Sequence, residues 1–295
     1  MEVVISPIFY MGNKKRLIKK GLINLFPKNI DVFVDLFSGS GVVSMNTKAN
    51  QYILNDIDIN LNLLYKIFKM YSEDEIISHI ENRIEQFNLP KERTRRCDFK
   101  DNDKLNKYKQ AYMEFRDYYN KSQNPLDLYT LMFFAFSQQF RFNKKGEFNM
   151  PFGNDCFSET NKQYIKNGVD FFSKENVSIS NCNFMDIDLI NLDEDDFVYL
   201  DSPYLDCTAT YNEGRGQDAW NMESELYMYR LCENLNHNNI KFGMSNVFHN
   251  KGKEHTYLID WCNKNNWNIY TFDSHTYSAC GKGNSNAKEV FITNY

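Results

Sequence analysis

The run Asp31-Val32-Phe33-Val34-Asp35-Leu36 breaks at Ser38-Gly39-Ser40-Gly41 and resumes as a helical pattern from Val42 to residue 49. An apolar strand that turns through two glycines into a helix predicts the opening unit of a doubly wound α/β domain. A second strand, Tyr52-Ile53-Leu54-Asn55, ends at Asp56, at the distance from the glycines where dinucleotide-binding folds carry an acid. Glycines let the backbone approach a ligand closely, and the amides at a helix start face it. Asp35, Gly39, Ser40, Gly41 and Asp56 are therefore candidate cofactor-binding residues. Taken alone, the same residues also fit a tight turn and a cap.

Residues 13–26 read as a basic amphipathic helix stopped by Pro27, and from about 59 to 137 the periodicity is helical with little strand signal. The segment from Phe140 to Phe152 alternates about a Lys-Gly turn and predicts a β-hairpin. Strands return at 177–180, 196–200, 240–245, 267–272 and 288–293, with a helix near 222–237. The predicted organisation is one α/β domain, residues 1–60 and 177–295, interrupted by a mostly helical insert, 61–176, that carries the hairpin 140–152. At 42% hydrophobic and 16% aromatic residues the chain has apolar surface enough for such a core, and most of its 24 Phe and 19 Tyr belong there.

The seven cysteines, Cys97, Cys156, Cys182, Cys207, Cys232, Cys262 and Cys280, are odd in number and never spaced as C-x-x-C. That argues against a disulfide framework and against a zinc site. No apolar stretch approaches a membrane span and no basic leader precedes an apolar run, so a soluble, cytoplasmic protein is expected, with no membrane and no obligate protein partner. A formal net charge of -5 counts against nucleic acid when taken alone. The basic residues are nevertheless clustered, at Lys14-Lys15-Arg16 with Lys19-Lys20, at Arg93-Thr94-Arg95-Arg96, and at Arg141 with Lys144-Lys145. Any one cluster also fits a solvated surface.

The stretch Phe197-Val198-Tyr199-Leu200-Asp201-Ser202-Pro203-Tyr204 carries the most chemistry. An apolar strand ends in a carboxylate, a rigid turn and an aromatic ring, at the carboxyl edge of the sheet where open α/β folds bind ligands. Such a set suits an adenine amino group, a poor nucleophile because its lone pair is delocalised into the ring. The Asp201 carboxylate and the Ser202 carbonyl would accept its two hydrogens and draw the nitrogen toward tetrahedral geometry, while Tyr204 stacks on a base that has left the helix. The transfer is then an in-line displacement helped by orientation, with no metal. In the glycine loop the third position of G-x-G-x-x-G is Ser44, which tilts the cofactor from a nicotinamide toward S-adenosylmethionine.

These segments resemble one family. DSPY (201–204), FVDLFSGSG (33–41), ILND (53–56) and FYMGNKKRL (9–17) are similar to the adenine-specific Dam-type DNA methyltransferases, most closely their T-even bacteriophage branch. The likeness continues in the family's order through RFNKKGEFNMPFG (141–153), IKFGMSNV (240–247) and KEVFITNY (288–295), nearly the whole chain. It implies a Rossmann-like methyltransferase domain with an inserted target-recognition domain, acting on double-stranded DNA in a bacterium or phage-infected host. It also implies S-adenosylmethionine contacts at Tyr10, Lys14, Asp56 and Asp201, completed by Phe37, Gly39, Gly41 and the Phe184-Met185-Asp186 turn, with S-adenosylhomocysteine as product and GATC as target. Without the resemblance, Lys14 reads as one charge on a solvated helix face. The family usually has Asp-Pro-Pro-Tyr, and here the first proline is Ser202, which keeps the carbonyl but frees φ and adds an N–H.

The hairpin is the natural reader of DNA sequence. Arg141 can bond a guanine edge with two donors, while Asn143, Lys144 and Lys145 are candidate DNA contacts, the lysines to phosphates. An ion pair under the hairpin is the other reading of Arg141. Two rival functions remain open, a nicotinamide-dependent oxidoreductase and a DNA-binding module of the same fold with impaired catalysis. Methylation of a cytosine ring carbon is disfavoured, since that chemistry uses a cysteine after proline and none of the six prolines precedes a cysteine.

Overall fold

The computed structural model describes residues 2–94, 102–205, 220–250, 253–275 and 286–295; Arg95, Arg96, Cys97, Cys207 and Cys280 lie outside the described residues. In chain order the elements are α1 (Lys15–Lys19), β1 (Val32–Asp35), α2 (Val42–Asn46), β2 (Gln51–Asn55), α3 (Ile59–Met70), α4 (Glu73–Phe87), α5 (Asn102–Ser122), α6 (Pro125–Phe134) and α7 (Glu159–Phe172). They continue as β3 (Val177–Ser180), β4 (Phe197–Leu200), α8 (Met222–His237), β5 (Lys241–Asn250), β6 (Lys253–Glu254), α9 (Thr256–Asn265), β7 (Asn268–His275) and β8 (Asn286–Thr293). The described residues pack as two compact units, one of Met1–Val3, Lys14–Ile57 and Ser178–Tyr295, the other of Val4–Asn13 and Asp58–Val177.

The strands form one mixed sheet in the order β3-β2-β1-β4-β5-β8-β7, with β6 paired to β5 off this path. β1 runs parallel to β2 and β4, β4 parallel to β5, and β8 lies antiparallel between β5 and β7. This is the expected Rossmann-like α/β architecture. All four residues of β4 are buried, as a central parallel strand covered on both faces requires. Alternation then sorts side chains to two faces. Val34, Val198, Leu200, Phe242, Met244, Val290 and Ile292 pack with Met228, Cys232 and Leu235 of α8 and with Leu258, Trp261 and Cys262 of α9. Phe26 gathers Phe33, Phe197, Tyr199 and Phe291, with ring centroids between 4.8 and 6.0 Å. Each fully buried ring contributes roughly 1.5–3 kcal/mol by leaving water.

In the helical unit the helix starts are written in the sequence. Ser72 and Glu75 form a reciprocal capping box at α4, Ser158 and Asn161 do so at α7, and Asn124 with Pro125 opens α6. Leu126 to Phe134 are buried without exception, so α6 is the unit's central helix. Its Asp127 carboxylate accepts from Nε2 of His79 at 2.8 Å and Nε of Arg83 at 2.7 Å, both on α4. The segment Val4–Asn13 packs here: Tyr129 donates to the Pro7 carbonyl, Asn167 to that of Ile5, and Phe9 lies against Phe133 and Tyr164.

Several elements differ from expectation. The helix expected over 13–26 ends at Lys19, because Gly21 turns left-handed at φ 98° and a short 3-10 turn, Leu22–Leu25, follows. α2 stops at Asn46, where the side chains of Asn46 and Thr47 donate to the carbonyls of Val42 and Val43 and compete with further helix. The segment 140–152 turns back on itself, but its strand pairing is the single bridge Phe142–Phe148, with backbone bonds from Asn143 to Glu147 and from Asn149 to Arg141 on either side, rather than a long ladder. Asn120 instead holds the Phe148 backbone from both sides, accepting from its N–H and donating to its carbonyl. α9 and β6 were not expected, and β5 runs to Asn250 rather than 245. Among the described residues no helix is long and apolar enough to cross a membrane.

Candidate active site

Asp35 is opposite Leu54 of β2 and Tyr199 of β4, so the ends of three parallel strands deliver Asp35, Asp56 and Asp201 to one edge of the sheet. The glycine loop is tied to that edge. Ser38 donates to the Asn55 carbonyl from its amide at 2.9 Å and its hydroxyl at 3.0 Å, and Gly41 donates to the Ser38 carbonyl at 2.7 Å. Gly39 and Gly41 stand at φ 52° and 73°, left-handed values that cost a side-chain-bearing residue energy and glycine nothing. The Asp56 carboxylate accepts from the Gly39 amide at 3.0 Å. Its own carbonyl takes a hydrogen from Asn181, and Asn55 donates to the carbonyls of Leu36 and Cys182 while accepting from the Cys182 amide. Asn55 thus joins the ends of β1 and β2 to the turn after β3. It was quoted in the sequence motif without a task; its signal was a polar amide closing an apolar strand.

Asp35 is almost fully buried and accepts from the Ser44 hydroxyl at 2.6 Å. Burial pushes its carboxyl up to about 7; the Ser44 bond opposes this, and the charges of Asp201 and Asp56 add to it. Lys14 is 4% exposed, so it does not stand on a solvated face. Its Nζ lies 2.5 Å from Oδ1 of Asp201 and 5.3 Å from the centre of the Tyr204 ring. Burial raises the Asp201 carboxyl, Lys14 opposes that first, Glu289 adds to the rise and Tyr204 lowers it. Ser202 is 3% exposed, and its hydroxyl has no hydrogen-bond partner among the described residues. Pro203 and Tyr204 are half-buried.

Beside the loop stands a triangle of rings. Phe37 and Phe184 are 5.1 Å apart, Phe184 and Trp220 5.3 Å, and Phe37 and Trp220 5.6 Å. Phe184 is buried and Asp186 exposed, the Asp186 amide closing their turn on the Asn183 carbonyl. Trp220 escaped the sequence reading, since an isolated tryptophan ahead of a helix has no signature of its partners. Ser40 is buried in the loop.

The remaining candidates belong to the helical unit. The Tyr10 ring packs 5.8 Å from Phe140. Arg141 is exposed and donates from Nε at 2.9 Å and Nη2 at 3.2 Å to the side-chain and main-chain oxygens of Asn149, a neutral partner rather than an ion pair. Asn143 builds the turn: its oxygen accepts from the amides of Lys145 and Glu147, and its nitrogen donates to the Glu147 carboxylate. Lys144 and Lys145 stand exposed at the tip.

A family model described as D12 class N6 adenine-specific DNA methyltransferase matches residues 10–272. The chain is 37% identical over 295 residues to Modification methylase StsI of Streptococcus sanguinis, covering 98% of this chain and 43% of that protein. It is 37% identical, with the same coverage, to Type II methyltransferase M.FokI of Planomicrobium okeanokoites. To DNA adenine methylase of Escherichia coli (strain K12) it is 26% identical over 223 residues, 73% of this chain and 72% of that protein. The chain therefore spans less than half the length of the two modification enzymes.

Proposed function

The chain belongs to the D12 class N6 adenine-specific DNA methyltransferase family, and from that premise we propose that it transfers the methyl group of S-adenosylmethionine to the exocyclic amino group of an adenine in duplex DNA. The observation that carries this reading is the convergence of Asp35, Asp56 and Asp201 at one sheet edge beside a glycine loop. Three acidic side chains at one edge, of which Asp201 is paired with the Lys14 ammonium, suit a ligand that brings its own positive charge. S-adenosylmethionine carries a sulfonium and an ammonium, and when bound it supplies the electrophilic methyl.

The chain's residues do the rest. Asp56 accepts from ribose hydroxyls, and Gly39, Ser40 and Gly41 line the backbone approach. Phe37 and Phe184 line one side of the purine site. Asp201 and the Ser202 carbonyl accept the hydrogens of the target amino group, and Tyr204 stacks on the base. Ser202 keeps that carbonyl although it replaces the family's first proline. The exposed hairpin, with Arg141 and the lysines Lys144 and Lys145, is the proposed reader of sequence, and Asn143 supports it by shaping the turn.

The Dam resemblance points to GATC and to the T-even phage branch. The identity of 37% to type II modification enzymes, against 26% to a Dam enzyme, supports instead a modification methylase with another adenine-containing target. Transfer of labelled methyl to duplex DNA, followed by mapping of methylated adenines, tests both levels. Wild-type chain should label DNA and Asp201→Ala should not, even where it folds; near wild-type single-turnover rates in that variant would remove Asp201 from the chemistry.

A further inference from the structure

Trp220 and Glu225 have no part in the mechanism above, yet the fold invests heavily in them. The indole N–H of Trp220 donates to Oε2 of Glu225 at 2.6 Å, and the Glu225 side chain is 0% exposed. Its Oε1 accepts from the Tyr229 hydroxyl at 2.9 Å, the Asn246 side chain bonds it, and Nε2 of His255 lies 3.7 Å away. His255 in turn accepts the Leu258 amide at its Nδ1, capping α9. Residues of β5, α8 and the start of α9 thus converge on one carboxylate, and that carboxylate aims one indole.

Burying a carboxylate is costly, and burial raises this one while its donors pull the other way. A tryptophan that needed only to leave water could lie against apolar neighbours at far less cost. A short charge-assisted bond on the indole N–H fixes the plane of the ring, which apolar packing does less sharply. The same ring meets Phe37, edge-on at 79°, and Phe184 at 35°. Phe37 lies in the glycine loop, and both it and Trp220 are half-buried, so aromatic surface stays accessible there.

We propose that Glu225 is a positioning residue: it fixes the plane of Trp220, and Trp220 with Phe37 and Phe184 forms the aromatic wall against which the cofactor's adenine packs. The proposal rests on the reading of the glycine loop as the S-adenosylmethionine site.

Calorimetric titration of the full chain with S-adenosylhomocysteine, alongside tryptophan fluorescence, tests it. Trp220→Phe keeps a ring but loses the N–H; it and Glu225→Ala should each raise Kd about tenfold. Glu225→Gln keeps an acceptor for the indole and should stay within about threefold of wild type, and methylation rates at saturating cofactor should change by less than about threefold in every folded variant. Ligand should alter wild-type fluorescence, and the change should vanish in Trp220→Phe although Trp261 and Trp267 remain. If Glu225→Ala does not fold, Trp220→Phe and Glu225→Gln decide. Unchanged affinity in folded Trp220→Phe, or wild-type fluorescence indifferent to bound ligand, overturns the proposal. Failure of the wild-type chain to bind S-adenosylhomocysteine would instead overturn the assignment of the site itself, and this proposal with it.

Discussion

Nζ of Lys14 lies 2.5 Å from Oδ1 of Asp201, an ion pair whose side chains are 5% and 16% exposed. Removing the ammonium leaves a carboxylate in a poorly solvated site. Lys14→Met should therefore destabilise the protein by on the order of 2–4 kcal/mol in a urea melt, somewhat below a fully buried pair because Asp201 keeps some water contact. Adding Asp201→Asn to that variant should recover most of the loss, since the uncompensated charge is gone. Additive losses in the double variant would mean that the two side chains do not stabilise one another.

Asp56 connects the loop to the second strand through the Gly39 amide. Asp56→Ala removes that acceptor and the proposed partner of the ribose hydroxyls. Affinity for S-adenosylmethionine should fall by one or two charge-assisted hydrogen bonds, each about 1.5–3 kcal/mol, with DNA affinity little changed. Calorimetry on the folded variant checks this, and an unaltered cofactor affinity excludes Asp56 from the pocket.

Stability should depend on pH through Asp35, whose carboxyl burial pushes from the ordinary 3.8 to about 7. Because the folded value is the higher, the folded state holds the proton where the unfolded chain has lost it. The stabilising contribution is complete below about pH 4 and is lost as pH rises through about 7, amounting to a few kcal/mol. Asp35→Asn stays neutral and still accepts from Ser44, so its stability should fall less across that window. Equal slopes of unfolding free energy against pH in the two proteins would show that Asp35 ionises normally.

The hairpin residues should fail differently when removed. Arg141→Ala should cost on the order of 1–3 kcal/mol of discrimination at one base pair, so that methylation spreads to sites differing there. Lys144→Ala with Lys145→Ala should weaken binding to all DNA alike and flatten its salt dependence by up to about one unit of slope per lost phosphate contact. Rates on the target and its single-base variants, with binding at several salt concentrations, separate the two. Uniform loss in the arginine variant with relaxed sequence choice in the lysine variant would reverse the assignment. Because Asn149 holds Arg141 in the free protein, Asn149→Ala should weaken discrimination as well.

Much of the fold is legible in the sequence because it is encoded over short distances. Short apolar runs mark β1, β2 and β4, the reciprocal pairs Ser72 with Glu75 and Ser158 with Asn161 mark helix starts, and the glycines at 39 and 41 mark a turn that demands positive φ. Asp56 and Asp201 are legible as candidates for the same reason, since each directly follows an apolar strand. Local pattern failed where short-range competition decided, as at Gly21 and at Asn46 with Thr47, where helix signals were real but the backbone had a better alternative.

What the sequence alone determined, then, is which strands end in carboxylates and where the backbone must turn sharply. Only the tertiary structure decided what those ends meet. That Lys14 is buried against Asp201 rather than solvated, that Asn55 ties two strand ends to a turn after β3, and that Glu225 holds the ring of Trp220 all depend on groups from segments distant in the chain. No periodicity reports such pairs, because a buried charge is stable only opposite its partner, and the partner's position is set by the sheet order and register rather than by neighbouring residues.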